Sequence, residues 1–258
     1  MLSYLLSTEG AWESLSEIFN LRQVAVGLAV NVGLATLGYL TASISFSGAV
    51  VGLGLGTVVW SCLDWRGYLL LLAFFVMGTG ATRLGFRQKE SLGLAEARRG
   101  RRGARNAIAN MGVAAVCALF AVLTPLRELF VLAFAGAFAA ATADTLESEI
   151  GQLWGGRPRL LTTWRPVPTG TDGGVSTVGT LAGVAGALVL AGLGWAVGFY
   201  NARGLVAVVL AGFFATIIES LIGATLERSG LLNNEAVNTL NTLAGALLAV
   251  AFWNRLAV

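Results

Sequence analysis

Residues 128–153 read ELFVLAFAGAFAAATADTLESEIGQL, and this stretch decides the class of fold. Positions 129–143 contain no charged residue, which is typical of a helix that crosses the hydrocarbon core of a bilayer. The stretch then turns polar at Asp144, Thr145, Ser148 and Glu149. We therefore predict a transmembrane helix that carries a cluster of polar groups at one membrane surface.

The remainder of the chain has the same apolar character. Of its 258 residues, 56% are hydrophobic and 12% are charged, and the mean hydropathy is +0.75. Soluble domains usually carry about 25% charged residues, so the composition excludes an ordinary soluble protein. Because a spanning helix needs about 20 predominantly apolar residues, we predict an all-α transmembrane bundle of about seven to eight spans, at 22–42, 46–63, 67–83, 106–124, 128–153, 174–199, 204–227 and 235–256. The second range is short and glycine-rich, and is either a span or a broken or re-entrant helix.

The residue types that are missing narrow the chemistry. The chain has no histidine, which excludes histidine triads, histidine general bases and histidine metal ligands. Cys62 and Cys117 lie in apolar runs without a CxxC spacing, so a zinc site or disulfide framework is not expected. Any metal must then be held by oxygen ligands, which favours Mg²⁺.

We treat residues 1–258 as a single transmembrane domain. Glu9, Glu13 and Glu17 lie near the N-terminus, where a signal peptide would have basic residues. Segment 1–20 is expected to be an interfacial helix, and a functional acidic patch is the alternative.

Arginine and lysine are concentrated in two loops, at 83–105 and 154–173. Two predicted spans separate these loops, so both lie on the same side of the membrane. The loops on the other side are short and nearly neutral. The positive-inside rule therefore places both basic loops in the cytoplasm.

Polar residues of several predicted spans come together at this cytoplasmic face. On a 3.6-residue helix the polar residues of 144–149 cover an arc of about 140°, with Glu147 outside it. The others are Asn106 and Asn110, Asp172, Glu219 and Ser220, and Asn234, Asn238 and Asn241. Ionisable groups in spans are costly and usually mark a function or a paired partner. A structural salt bridge to a loop arginine remains the alternative for Glu219 taken singly.

The cluster suits a polyanion bound together with a divalent cation. Carboxylates and hydroxyls can hold Mg²⁺, and the candidate ligands are Asp144, Ser148, Glu149, Asp172 and Glu219. Arginine side chains hold phosphate oxygens, and Arg83, Arg102 and Arg105 lie nearest the spans. Anchoring of the arginine run to anionic lipid is the alternative. Nucleic acid is not an expected partner, because no aromatic residues interleave with the basic ones.

A glycine-rich turn precedes the sixth predicted span. It reads TGTDGGVS at 169–176 and opens a helix, so its backbone N–H groups can point at a phosphate. The turn follows neither a Walker A nor a GxGxxG pattern, and an ordinary loop-to-helix turn is the alternative reading.

Four segments, in order from about residue 80 to the C-terminus, resemble the phytyl-phosphate kinase family of integral membrane proteins. The first contains TRLGF at 82–86, Lys89, GLAE at 93–96, GRR at 100–102 and positions 106–112. The second contains ADT at 143–145 and SEIG at 148–151. The third contains Pro158, Arg159, Pro168 and positions 170–176, and the fourth SLIGAT at 220–225, Asn234, Asn238 and Thr242. Two positions depart from the family pattern: Met111, where the family usually has Gly, and Glu219, where it often has Asp.

The resemblance implies transfer of a phosphoryl group, with CTP as donor and Mg²⁺ as cofactor, to an isoprenyl monophosphate such as phytyl phosphate, and a place in tocopherol biosynthesis. It implies catalytic roles for Asp144, Glu149, Lys89 and Arg102. The expected nucleotide- and phosphate-binding residues are Arg83, Arg105, Arg159, Arg165, Thr171, Gly173, Gly174, Ser176, Asn106, Asn110, Asn234 and Asn238. A lipid cytidylyltransferase-like enzyme and an ion-coupled transporter are the competing readings.

Overall fold

The computed structural model describes residues 20–95 and 97–256. The predicted interfacial helix therefore lies outside the described residues, apart from Asn20. The described part contains α1 (Leu21–Leu40), α2 (Phe46–Arg83), α3 (Phe86–Ser91), α4 (Ala104–Leu123), α5 (Arg127–Trp154), α6 (Thr177–Ala196), α7 (Ala202–Ile222) and α8 (Asn234–Arg255). All of these except α3 are long and apolar enough to cross a membrane, which confirms the predicted all-α transmembrane bundle.

Helix α2 is a helical hairpin. Asp64 has non-helical backbone angles, with φ 53° and ψ −160°, and its Oδ1 accepts a hydrogen bond from the backbone N of Arg66 at 2.8 Å, as an N-cap does at the start of a helix. Both arms of α2 contact Arg102. A Cβ on Gly48, near the start of the first arm, would lie 2.3 Å from the Arg102 carbonyl oxygen, and a Cβ on Gly78, near the end of the second arm, would lie 2.3 Å from the Arg102 Nη2. The two arms, 46–63 and 65–83, therefore run back to the same membrane face, and the bundle has as many apolar arms as the eight predicted spans.

Helix α5 is the centre of the bundle. Every residue from 131 to 143 is buried, and α5 contacts α2, α4, α6, α7 and α8. The apolar part of this helix is rich in alanine and contains Gly136, and small residues let neighbouring helices approach closely. A Cβ on Gly136 would lie 2.4 Å from the carbonyl oxygen of Gly245 on α8, so the two backbones touch there.

The polar end of α5 lies beside the start of α6. A Cβ on Gly179 would lie 2.6 Å from the carbonyl oxygen of Glu147, and one on Gly183 would lie 2.9 Å from that of Ala143. Ser176 caps α6 by accepting a hydrogen bond from the backbone N of Gly179 at 3.1 Å. The loop before α6 is pinned by a short antiparallel pair, β1 (Arg159–Leu160) and β2 (Gly174–Val175), which places the glycine-rich turn at the same end as the α5 carboxylates.

Candidate functional site

A cavity of about 720 Å³ opens at this end of the bundle. Its walls come from the ends of α2, α5 and α7, the starts of α4 and α8, and the glycine-rich turn. Fifteen of the residues predicted for the site from the sequence line it: Arg102, Arg105, Asn106, Asn110, Asp144, Ser148, Glu149, Thr171, Asp172, Gly173, Gly174, Ser176, Glu219, Asn234 and Asn238. The fold thus gathers these residues in one place, and their chemical roles stay predictions.

One wall of the cavity is acidic. Glu219 on α7 lies within electrostatic range of Asp144, Glu147 and Glu227, and Glu227 lies within range of Asp172 on the glycine-rich turn. The Ser220 hydroxyl donates a hydrogen bond to Glu219 at 3.5 Å. Several carboxylates that repel one another at a membrane surface are stabilised by a bound cation.

Glu147 belongs to this wall, although the sequence interpretation placed it on the other side of α5. Its Oε1 accepts a hydrogen bond from the hydroxyl of Thr180 at 2.7 Å, and its side chain lines the cavity. The reason is geometric. Glu147 is only about 60° around the helix from Asp144, and the last turns of α5 face the cavity over a wider arc than the four predicted residues cover.

Lys89, for which the resemblance implies a catalytic role, lies outside the set of residues that line the cavity. Its side chain is 1% exposed and forms an ion pair with Glu149, which is 6% exposed. Nζ also donates hydrogen bonds to the carbonyl oxygens of Ala81 and Thr82, at 3.1 and 3.0 Å. With three acceptors the ammonium group has used its three hydrogens, so Lys89 ties the end of α2 to α5 and has none left for a substrate.

The predicted arginine ligands divide into two groups. Arg102 and Arg105 line the cavity, as does Arg101, which was not predicted. The Arg102 guanidinium lies 5.1 Å from the ring of Phe74. Arg83, Arg159 and Arg165 lie outside the set that lines it. The guanidinium of Arg83 donates to Thr41 and Ser43 in the α1–α2 loop, and Arg165 is exposed beside β1.

Arg159 lines a second, smaller cavity next to the first. Its Nη1 donates to the carbonyl oxygen of Trp164 at 2.8 Å. Three of the five predicted arginines, Arg83, Arg159 and Arg165, therefore lie outside the set of residues that line the polar cavity.

The glycine-rich turn packs directly on the end of α7. Gly173 has φ +71°, and a Cβ there would lie 2.2 Å from the backbone N of Ala224 and 2.4 Å from the carbonyl oxygen of Ser220. Residues Gly223–Glu227 continue α7 as a π-helical turn, a form that is frequent at functional sites. The turn and the widened helix end thus hold Asp172 and Glu227 on neighbouring parts of the cavity wall.

The predicted asparagine stripe of α8 is partly in the cavity. Asn234 and Asn238 line it, and the Asn238 amide donates to Asn234 at 3.3 Å. Asn241 is fully buried and donates to the carbonyl oxygen of Ala140 at 3.2 Å, so it joins α8 to α5. On α4, the Asn110 amide donates to the carbonyl oxygen of Asn106 at 3.0 Å.

Sequence reasoning missed several cavity residues. Besides Glu147 these include Arg101, Gln152, Glu227 and Glu235. Glu227 and Glu235 stand at helix ends, where charged residues are common, and they gave no signal in the sequence. The buried Oε1 of Gln152 has no hydrogen-bond partner among the described residues, so this atom is an available acceptor at the cavity wall.

The donor set fits Mg²⁺. A closed structural metal site would need three or more His, Cys, Asp or Glu side chains close together, and the described residues contain no such group. Mg²⁺ usually keeps several waters and binds through one or two carboxylates together with substrate phosphates. The oxygen-only acidic wall supplies carboxylates in that arrangement.

The chain matches the family described as Integral membrane protein DUF92 over residues 29–246. The chain belongs to this family. Its resemblance to the phytyl-phosphate kinase family, predicted from the motifs, is confirmed by this match and by its similarity to the Arabidopsis thaliana protein VTE6. The DUF92 match covers every residue that lines the cavity. No solved structure matches the chain.

The chain is similar in sequence to membrane and chloroplast proteins of a cyanobacterium, a plant and an archaeon. An uncharacterized membrane protein of Synechocystis is 44% identical over 76% of this chain and 77% of its own length. The chloroplast protein VTE6 of Arabidopsis thaliana is 38% identical over 82% of this chain and 66% of its own length. An uncharacterized membrane protein of Methanocaldococcus jannaschii is 34% identical over 72% of this chain and 75% of its own length.

Proposed function

We propose that this chain is a membrane kinase that transfers the terminal phosphoryl group of a nucleoside triphosphate, expected to be CTP, to an isoprenyl monophosphate such as phytyl phosphate. The product is the isoprenyl diphosphate. The observation that carries the proposal is the polar cavity of about 720 Å³ built from the family's four motif segments at one end of an apolar bundle. A water-soluble nucleotide and a lipid phosphate can meet at such a place.

The reaction needs little from the protein in the way of acid–base chemistry. An oxygen of the acceptor phosphate attacks the terminal phosphorus of the nucleotide, and the bond from that phosphorus to the bridging oxygen breaks. The nucleoside diphosphate leaves with the electron pair. The attacking group is already anionic, so no general base is required, and catalysis rests on in-line placement and charge neutralisation. This agrees with the absence of histidine.

Placement and neutralisation divide between the two sides of the cavity. Arg101, Arg102 and Arg105 on the basic side are suited to bind nucleotide phosphates through their planar guanidinium groups. Asp144, Glu147 and Glu219 on the acidic side would hold Mg²⁺, which when bound neutralises phosphate oxygens that carboxylates would otherwise repel. Ser176, at the start of α6, lines the same cavity, and the N-terminus of a helix favours an anion.

The buried ion pair of Lys89 and Glu149 then has a positioning role. It fixes the loop after α2 against the last turns of α5 and so holds the arginine run of 99–105 over the carboxylates. We assign the cavity to the cytoplasmic side because the loops at 83–105 and 154–173 carry most of the arginines, and basic loops face the cytoplasm.

Product analysis tests the proposal. Purified protein in lipid nanodiscs, incubated with CTP, Mg²⁺ and phytyl phosphate, should release CDP and form phytyl diphosphate in equal amounts. Release of pyrophosphate with a CMP-linked lipid would instead indicate a cytidylyltransferase. If no nucleotide is consumed while an ion gradient across proteoliposomes is dissipated, the chain is a transporter and the proposal is wrong.

A further inference from the structure

A second cavity, of about 460 Å³, lies between α6 and α7 beside the polar one. Its volume is within the usual range for ligand pockets, about 300–1,000 Å³. Its walls inside the bundle include four apolar side chains, Val178, Leu181, Phe213 and Ile217, with Thr180 and Thr216 among them. Leu181 is 65% exposed, so this cavity is a groove on the side of the bundle that faces lipid.

The groove adjoins the polar cavity. Glu147, Ser176 and Ser220 line both spaces, so a ligand can have one end in each. Ser176 caps α6, and the first turn of that helix offers backbone N–H groups to an anion. The junction is therefore the place where a polar head meets an apolar tail.

The groove extends from the membrane surface towards the bilayer centre. Phe213 lies seven residues before Ser220 on α7, which corresponds to about 10 Å along the helix. At the other end, Arg157, Arg159 and Trp164 stand at the mouth. Arginine attracts an anionic head group to the surface, and tryptophan is enriched at membrane–water interfaces.

We propose that this groove holds the phosphate-proximal part of the isoprenyl chain while the lipid phosphate lies in the polar cavity. The inference rests on the proposed function and adds the binding path of the lipid substrate. The rest of the chain lies in the surrounding bilayer. Because lipid is as apolar as the groove, the groove contributes orientation rather than affinity: it fixes the direction from which the acceptor phosphate reaches the nucleotide.

Matched tryptophan substitutions test the groove. Leu181→Trp and Ile217→Trp fill it from opposite walls. Leu188→Trp lies seven residues further along α6, on nearly the same side of the helix, and Ile218→Trp is the next residue on α7; both controls are exposed apolar positions outside the groove. We expect kcat/KM for phytyl phosphate to fall at least about tenfold in the two groove variants and to change less than about twofold in the controls, with the KM for the nucleotide unchanged in all four.

A cross-linking experiment tests the same point without activity. A phytyl monophosphate analogue with a photoreactive group near its phosphate end should form adducts with residues 178–181 and 213–217, and unlabelled phytyl phosphate should compete. Adducts elsewhere, or equal competition by phosphatidylglycerol, would overturn the proposal, as would well-folded groove variants with unchanged kcat/KM. If wild-type protein forms no diphosphate, the proposed function fails, and the adduct positions still decide whether the groove binds a prenyl phosphate.

Discussion

Lys89 and Glu149 form a buried ion pair across 60 positions of the chain. Lys89 follows the end of α2 and Glu149 lies in the last two turns of α5, so the pair joins the basic loop to the acidic helix end. Both Glu149 and Asp144 line the cavity: Glu149 is paired with Lys89, and Asp144 lies within electrostatic range of Glu219.

Removing either partner of this pair should destabilise the protein. Lys89→Met or Glu149→Gln leaves a buried group without its partner, and each should lower the free energy of unfolding by about 3–5 kcal/mol. The double variant Lys89→Met, Glu149→Leu should recover most of the loss. Thermal melts in detergent measure this, with Arg87→Met, an exposed neighbour on α3, as the control. Normal melting with lost activity in Lys89→Met would instead assign Lys89 to catalysis.

Asp144 should behave in the opposite way. Asp144→Asn removes one charge from the acidic wall and should lower the turnover of folded protein by about a thousandfold, equivalent to roughly 4 kcal/mol of transition-state stabilisation, with little change in melting temperature. Glu128→Gln, on the same helix but exposed at the opposite membrane end, should have no effect. Near-normal turnover in Asp144→Asn would remove Asp144 from the site.

Glu219 allows a finer test of the carboxylate requirement. Glu219→Asp keeps the charge and should retain more activity than Glu219→Gln, which should raise the Mg²⁺ concentration needed for half-maximal rate. The Mg²⁺ dependence of initial rates separates the two variants. Equal activity of both would show that the charge of Glu219 is not used.

Gly173 should be intolerant of a side chain. Gly173→Ala meets two obstacles: a positive φ, and the backbone of Ala224 and Ser220 within 2.4 Å of the new Cβ. Gly156→Ala is the matched control, because Gly156 lies in the same loop with φ +65° but has open space around its Cβ position. The backbone cost of about 1–2 kcal/mol is common to both. We expect activity to fall at least about tenfold more in Gly173→Ala, as the turn moves away from α7.

The membrane orientation can be measured by labelling. Cysteines introduced at Arg99 and Thr163, both exposed in the basic loops, should react with an impermeant reagent only from the cytoplasmic side. A cysteine at Glu128 should react only from the other side. The native Cys62 and Cys117 are buried and give little background. Labelling of Arg99→Cys and Thr163→Cys from different sides would contradict the shared cavity.

The positions of the spans and of the membrane surface could be predicted, because both depend on the residues of each segment alone. The apolar runs gave the spans, and the step from Ala143 to Asp144 marked the membrane surface on α5. The hairpin of α2 was also predictable, because Asp64 and Arg66 interrupt an otherwise apolar run.

Contacts between distant segments could not be predicted in this way. The resemblance implied a catalytic role for Lys89, and only the packing of its loop on α5 shows that its three hydrogens are donated to Glu149, Ala81 and Thr82. Glu147 was excluded by a narrow arc, although the cavity surrounds the helix end more widely. The contact of Gly173 with Ala224 depends on how the 169–176 turn packs on the end of α7. The periodicity of hydrophobic residues in the sequence contains no information about that packing.

The most direct test of the kinase assignment measures which phosphate of the nucleotide is transferred to the lipid. Parallel reactions of the purified protein with phytyl phosphate and Mg²⁺ would use CTP labelled at either the terminal or the innermost phosphate. A kinase transfers the terminal label to the lipid and leaves the innermost label in CDP. Transfer of the innermost label to the lipid, or of neither label, would contradict the account.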